Sequence, residues 1–160
     1  MHTPQQIAEA TRDAMWANDR ASQGLGMQVL AVGPTSAQLS MAVREDMLNG
    51  HAICHGGFIA TLADSAFAFA CNAGNEATVA SGFDIQLLAP ARLGDVLTAE
   101  AEQVHRRGRS GVYDVAVSNQ RGDAVALFRG RSHGFKGQVV VQGAALTPAL
   151  SPAFSKTERE

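Results

Sequence analysis

At 160 residues the chain has the length of one domain and can bury a sizeable core. Apolar residues make up 46% and charged ones 18%, the balance of a soluble globular protein rather than a disordered or fibrous one. A net charge of −2 gives no general electrostatic case for nucleic acid or an anionic membrane as partner.

Residues 1–6 carry no basic region followed by an apolar one, so no secretory signal is expected. Residues 5–22 read as one amphipathic helix, with Ile7, Ala10, Ala14 and Met15 near helical spacing, ended by Gly24 and Gly26. Two strands follow over 27–32 and 36–43, joined by a turn at Gly33-Pro34. In the second, Ala37, Leu39, Met41 and Val43 alternate with Gln38 and Ser40. Residues 52–63 are nearly uncharged but too few to span a membrane. From Phe58 to about Ala73 the spacing predicts a central helix. Phe58, Ile59, Leu62, Phe67 and Phe69 surround most of it, and Thr61, Asp64, Ser65 and Asn72 share one narrow polar stripe. A helix apolar on nearly every side is buried. Four more strands are expected over 78–88, 96–106, 111–119 and 123–133, the last three as an antiparallel meander. One long helix against one curved antiparallel sheet is an α+β arrangement. The domain is expected over residues 1–137. Residues 138–160, with Pro148, Pro152 and a charged end, read as a flexible tail.

The stretch from Asn49 to Asp64 carries the chemistry. Gly56 and Gly57 stand directly before the helix, where the first backbone N–H groups are free to meet a developing negative charge. The competing reading is a tight entry turn. Asp64 then appears about two turns inside an apolar helix. Burying a charge without a partner is costly, so catalysis competes with a structural aspartate satisfied by Ser65, Thr61 or a backbone group. His51 and His55 stand four apart around Cys54. Neighbouring glycines argue for a loop, and with no third ligand evident no metal is assigned. A Cys54 nucleophile is disfavoured, because an apolar setting leaves a thiol inert. Cys54 and Cys71 lack the paired spacing of zinc or disulfide frameworks, which fits reduced thiols in the cytoplasm.

These motifs have a family likeness. Asn49-Gly50-His51, His55-Gly56-Gly57 and Leu62-Ala63-Asp64 resemble the hotdog-fold acyl-CoA thioesterases, and within them the phenylacetic-acid-degradation (PaaI) group. Gly111-Val112-Tyr113-Asp114, the run from Ala126 to Gly130, and Ser132-His133 also match, so the likeness covers about residues 10–135. The resemblance implies a helix wrapped by a sheet, dimers with sheets joined edge to edge, and often tetramers of two dimers. It implies hydrolysis of acyl-CoA without metal or organic cofactor, with aryl-acyl groups such as phenylacetyl or its ring-hydroxylated derivatives favoured. Asp64 matches the family's acidic catalytic residue, and the N–H of Gly56 or Gly57 matches its oxyanion donor. Asn49 and His55 stand where the family places polar residues that orient thioester or water, although Asn-Gly is also plain turn chemistry.

Geometry adds a constraint. Gly57 and Asp64 are seven residues apart, about 10 Å of helical rise. One carbonyl carbon must lie about 3 Å from both groups, so the two must come from different subunits. Arg106, Arg107 and Arg109 cluster around Gly108 at a predicted hairpin tip beside Ser110. They read either as solvated decoration or as a dock for CoA phosphates. Two rival functions remain: a hotdog hydratase or dehydratase, which the 49–64 pattern fits poorly, and a module that binds acyl-CoA without turnover.

Overall fold

The computed structural model describes residues 1–140. Helix α1 spans Pro4–Asn18. Its start is fixed by a reciprocal cap: Gln6 N–H donates to Thr3 Oγ1 at 3.1 Å and Thr3 N–H donates to Gln6 Oε1 at 2.9 Å. The single helix predicted over 5–22 is broken at Asp19, and a second helix, α2, spans Arg20–Gly24. Asp19 is the reason. Its carboxylate accepts from Ser22 N–H at 2.9 Å and from Ser22 Oγ at 2.6 Å, so it starts a new helix where periodicity alone would continue the old one. Ser22 Oγ in turn lies 2.8 Å from Ser65 Oγ. Because Ser22 already donates to the carboxylate, Ser65 is the donor in that bond.

Strands β1 (Gln28–Gly33) and β2 (Ser36–Ala42) form a hairpin, and a single 3-10 turn over Glu45–Met47 leads into the next loop. Helix α3 spans Gly56–Asn72. Strands β3 (Glu76–Leu87), β4 (Val96–Arg107), β5 (Ser110–Ser118) and β6 (Ala124–Gln138) complete one antiparallel sheet in the order β1-β2-β4-β5-β6-β3. The α+β arrangement and the β4-β5-β6 meander are as the sequence predicts.

The core forms where α3 lies against one face of the sheet. Alternation delivers Leu39, Met41, Leu97, Val115 and Val117 to that face, against Leu62, Ala66 and Phe67 of the helix, all buried. Phe67 fits because Gly130 has no side chain: a Cβ there would lie 2.8 Å from the ring. The helix ends on buried Asn72, whose Nδ2 donates to Ala68 O and Thr78 O and whose Oδ1 accepts from Thr78 N–H, each at 2.9 Å. These bonds start β3 at the C-terminal end of α3, so β3 runs back along the helix at the sheet's edge. Of the tail expected over 138–160, residues 141–160 lie outside the described residues. Val139 is buried, and Val140 exchanges two hydrogen bonds with the Asn75 side chain.

Candidate active site

The loop before α3 is built on Asn49. Its Oδ1 accepts from His51 N–H at 2.9 Å and Ile53 N–H at 3.4 Å, while its backbone N–H donates to Ile53 O at 2.8 Å. Leu48 and Cys54 pair as an antiparallel bridge, and His55 N–H donates to Met47 O at 2.8 Å. Asn49 is therefore a turn residue, as the Asn-Gly reading allows, and its oxygen is committed there. Only its amide hydrogens are left to face a substrate.

His55 is the N-cap of α3, and its Nδ1 accepts from Gly57 N–H at 3.1 Å. A ring nitrogen that accepts carries no proton, so the neutral ring holds its proton on Nε2. This cap extends the helix two residues beyond its predicted start at Phe58. It also separates the two glycines: Gly57 N–H is occupied by His55, whereas Gly56 N–H has no partner among the described residues. Gly56 also lies close against β3, since a Cβ there would lie 2.6 Å from Leu87 Cδ1. Sequence reasoning misses Leu87 as a site neighbour. Its alternation with Phe83 and Ile85 is visible in the sequence, but the helix it meets is not.

Asp64 is half-buried on α3, and burial pushes its carboxyl pKa up. The hydroxyls that could have satisfied it are engaged elsewhere: Thr61 donates to Gly57 O at 2.8 Å, and Ser65 donates to Ser22. No hydrogen-bond partner holds its carboxylate among the described residues. Since Gly57 and Asp64 share one continuous helix, about 10 Å of rise separates them. One chain does not bring acid and amide together.

Cys54 is buried, and burial raises its thiol pKa. Burial likewise pushes Cys71 up to about 12. Neither is activated as a nucleophile. His51 is exposed in the loop. Among the described residues no three His, Cys, Asp or Glu side chains are grouped to hold a metal ion. Nor is any helix among them long and apolar enough to cross a membrane.

Arg107 and Arg109 are exposed on either side of Gly108, with Ser110 opening β5. Neighbouring Arg106 is paired with Glu76, but neither of these two arginines has an ion-pair partner among the described residues. Gly134 N–H donates to Arg109 O at 2.8 Å, and Gly134 lies opposite Thr78 in the sheet. The hairpin tip therefore sits at the Asn72 end of α3, far from Gly56 and Gly57.

Residues 51–126 match the family model described as "Thioesterase superfamily". The chain is 44% identical over 126 residues to the acyl-coenzyme A thioesterase PaaI of Escherichia coli K12, covering 79% of this chain and 90% of the relative. The solved structure of the E. coli PaaI protein from the phenylacetic acid degradation operon superposes with a TM-score of 0.84 at 42% identity, covering 85% and 99% of the two chains. A mutant of the phenylacetic acid degradation protein PaaI of Thermus thermophilus superposes with a TM-score of 0.71 at 36% identity, covering 73% and 100%. A long helix on one antiparallel sheet, a glycine-led helix start and this likeness over most of both chains agree: the chain belongs to the thioesterase superfamily, as a hotdog-fold thioester hydrolase of the PaaI type.

Proposed function

We propose that the chain hydrolyses acyl-CoA thioesters to free acid and CoA, with aryl-acyl groups such as phenylacetyl or its ring-hydroxylated derivatives preferred. The observation that carries this reading is an unpartnered, half-buried Asp64 on the same helix whose start presents a free Gly56 N–H. Thioester hydrolysis needs a base or nucleophile and a donor for the oxygen that becomes negative. Asp64 supplies the first, by activating water or by attacking the carbonyl carbon. The amide of Gly56 supplies the second, and such a donor is worth about 3–4 kcal/mol of barrier in known cases. In this assignment His55 fixes the helix start and the Gly57 amide beside it. Asn49 shapes the loop and offers its amide hydrogens to thioester or water. The CoA thiolate leaves as the carbonyl re-forms. The aryl preference is supported by the likeness to a protein of the phenylacetic acid degradation operon. Two free buried thiols suit a cytoplasmic setting, which is part of the same proposal.

The active unit in this reading is a homodimer, joined at sheet edges and often paired again into a tetramer. About 10 Å of helix between acid and amide is the reason: Asp64 of one protomer serves Gly56 of its partner. Mixing Asp64→Ala chains with Gly56→Val chains under conditions of subunit exchange should restore CoA release to about one working site per mixed dimer. No recovery after verified exchange overturns the shared site. CoA bound without thiol release by the parent chain would instead support a binding module.

Arg107, Arg109 and Ser110 are assigned to the CoA phosphates. Asp64 lies eight residues from Asn72, about 12 Å of helix, and an extended pantetheine arm spans that distance. The variant carrying Arg107→Ala and Arg109→Ala should raise KM for CoA esters while leaving KM for a short thioester without the nucleotide unchanged. Equal changes for both substrates would remove the assignment.

A further inference from the structure

The edge strand presents an aromatic side chain that the core does not use up. Phe83 lies opposite Gly130, whose missing Cβ faces the Phe67 ring, so Phe83 also stands on the helix side of the sheet. Its ring stacks on Phe128 with centroids 4.8 Å apart and planes 28° from parallel. Phe128 is only 2% exposed and is held in turn by Phe67, at 5.9 Å between centroids. Phe83 itself remains 43% exposed. One of its faces is backed by a fixed ring, so its exposure falls on the side turned away from Phe128.

The position of that exposed side follows from two anchors. Leu87 packs at Gly56, and Thr78 is bonded to Asn72, so β3 runs antiparallel to α3. Asp64 is the midpoint between Gly56 and Asn72, and the midpoint between Leu87 and Thr78 falls between Gly82 and Phe83. The exposed ring is therefore level with the acid.

We infer that Phe83, backed by Phe128, is a specificity-determining wall of the acyl site and stacks an aromatic ring of the acyl group on its exposed face. The inference rests on the thioesterase reading above and names the feature that would make it selective. A flat ring gains an offset stack on a pre-positioned phenyl face, whereas a flexible alkyl chain gains only apolar contact and loses rotational freedom. Because Phe128 already fixes the Phe83 ring, little ordering is needed when the second ring arrives.

The test compares kcat/KM for phenylacetyl-CoA and hexanoyl-CoA in the parent, Phe83→Leu and Phe83→Tyr, with assembly state followed by sedimentation. Phe83→Leu should lower the aryl-to-alkyl ratio about 3- to 10-fold, the factor a ring stack is worth. Phe83→Tyr should keep the parent ratio. An unchanged ratio in Phe83→Leu overturns the inference. So does an equal fall for both esters, and if assembly is lost with it, Phe83 faces a second copy instead of substrate. Should Phe83→Leu not fold, Phe83→Met gives the same comparison. Release of no CoA from either ester by the parent chain is a separate outcome: it removes the thioesterase reading and this inference with it.

Discussion

Asp64 is held in a way that costs stability. Its carboxyl is half-buried, its pKa is raised by that burial, and Thr61 and Ser65 bond elsewhere. An acid whose pKa is higher in the folded chain binds its proton more tightly there, so ionising it weakens the fold. That penalty is absent well below the ordinary value of 3.8 and grows as pH rises through the raised pKa. Asp64→Asn should therefore raise Tm at neutral pH, with the difference closing as pH falls towards 3.8, while CoA release falls about 100-fold or more. Thermal scans across pH beside a thiol-release assay check both halves. The same shift puts the acid limb of kcat/KM above the pH at which an exposed aspartate would titrate. His55 shows the opposite economy, since one ring nitrogen both caps the helix and fixes the Gly57 amide beside Gly56.

At the scale of elements, Asn72 closes α3 and starts β3 with one amide group. Asn72→Ala leaves the Thr78 N–H and carbonyl without partners in a half-buried setting, at a cost of about 1–3 kcal/mol. Urea unfolding of this variant should give a lowered midpoint with an unchanged slope. Most element boundaries were legible because they depend on local signals: the alternation of Ala37, Leu39 and Met41 marks β2, and the glycines before Phe58 mark α3. Asp19 was legible only as a cap, and the apolar spacing on either side masked it. The proposed reacting groups likewise come from one contiguous loop and helix. Their present partners could not be read from it. That Gly57 is already bonded, that Leu87 covers Gly56, and that β3 returns to pair with β6 are all non-local facts. Periodicity along the chain carries no record of them.

At the scale of the whole molecule, one chain leaves work for another. Strand β3 pairs with β6 on one side only, and beyond Thr78, which Asn72 holds, its outer backbone groups have no partner among the described residues and can extend the sheet. Leu87, 54% exposed beside Gly56, extends the apolar rim of that edge. If acid and amide meet only across two protomers, specific activity must fall on dilution through the dimer's dissociation constant, and Tm must rise with protein concentration. Activity per chain that is constant over a wide dilution range, in a sample shown to dissociate, would contradict the shared site.

The break at Asp19 reaches further than the first helix. Through Ser22 it provides the acceptor for the Ser65 hydroxyl, one residue along from the carboxylate proposed to do the chemistry. Deleting the first two dozen residues would leave that hydroxyl without this acceptor. The amino-terminal segment is thus tied to the middle of α3, and trimming it removes a bond from the helix that carries Asp64.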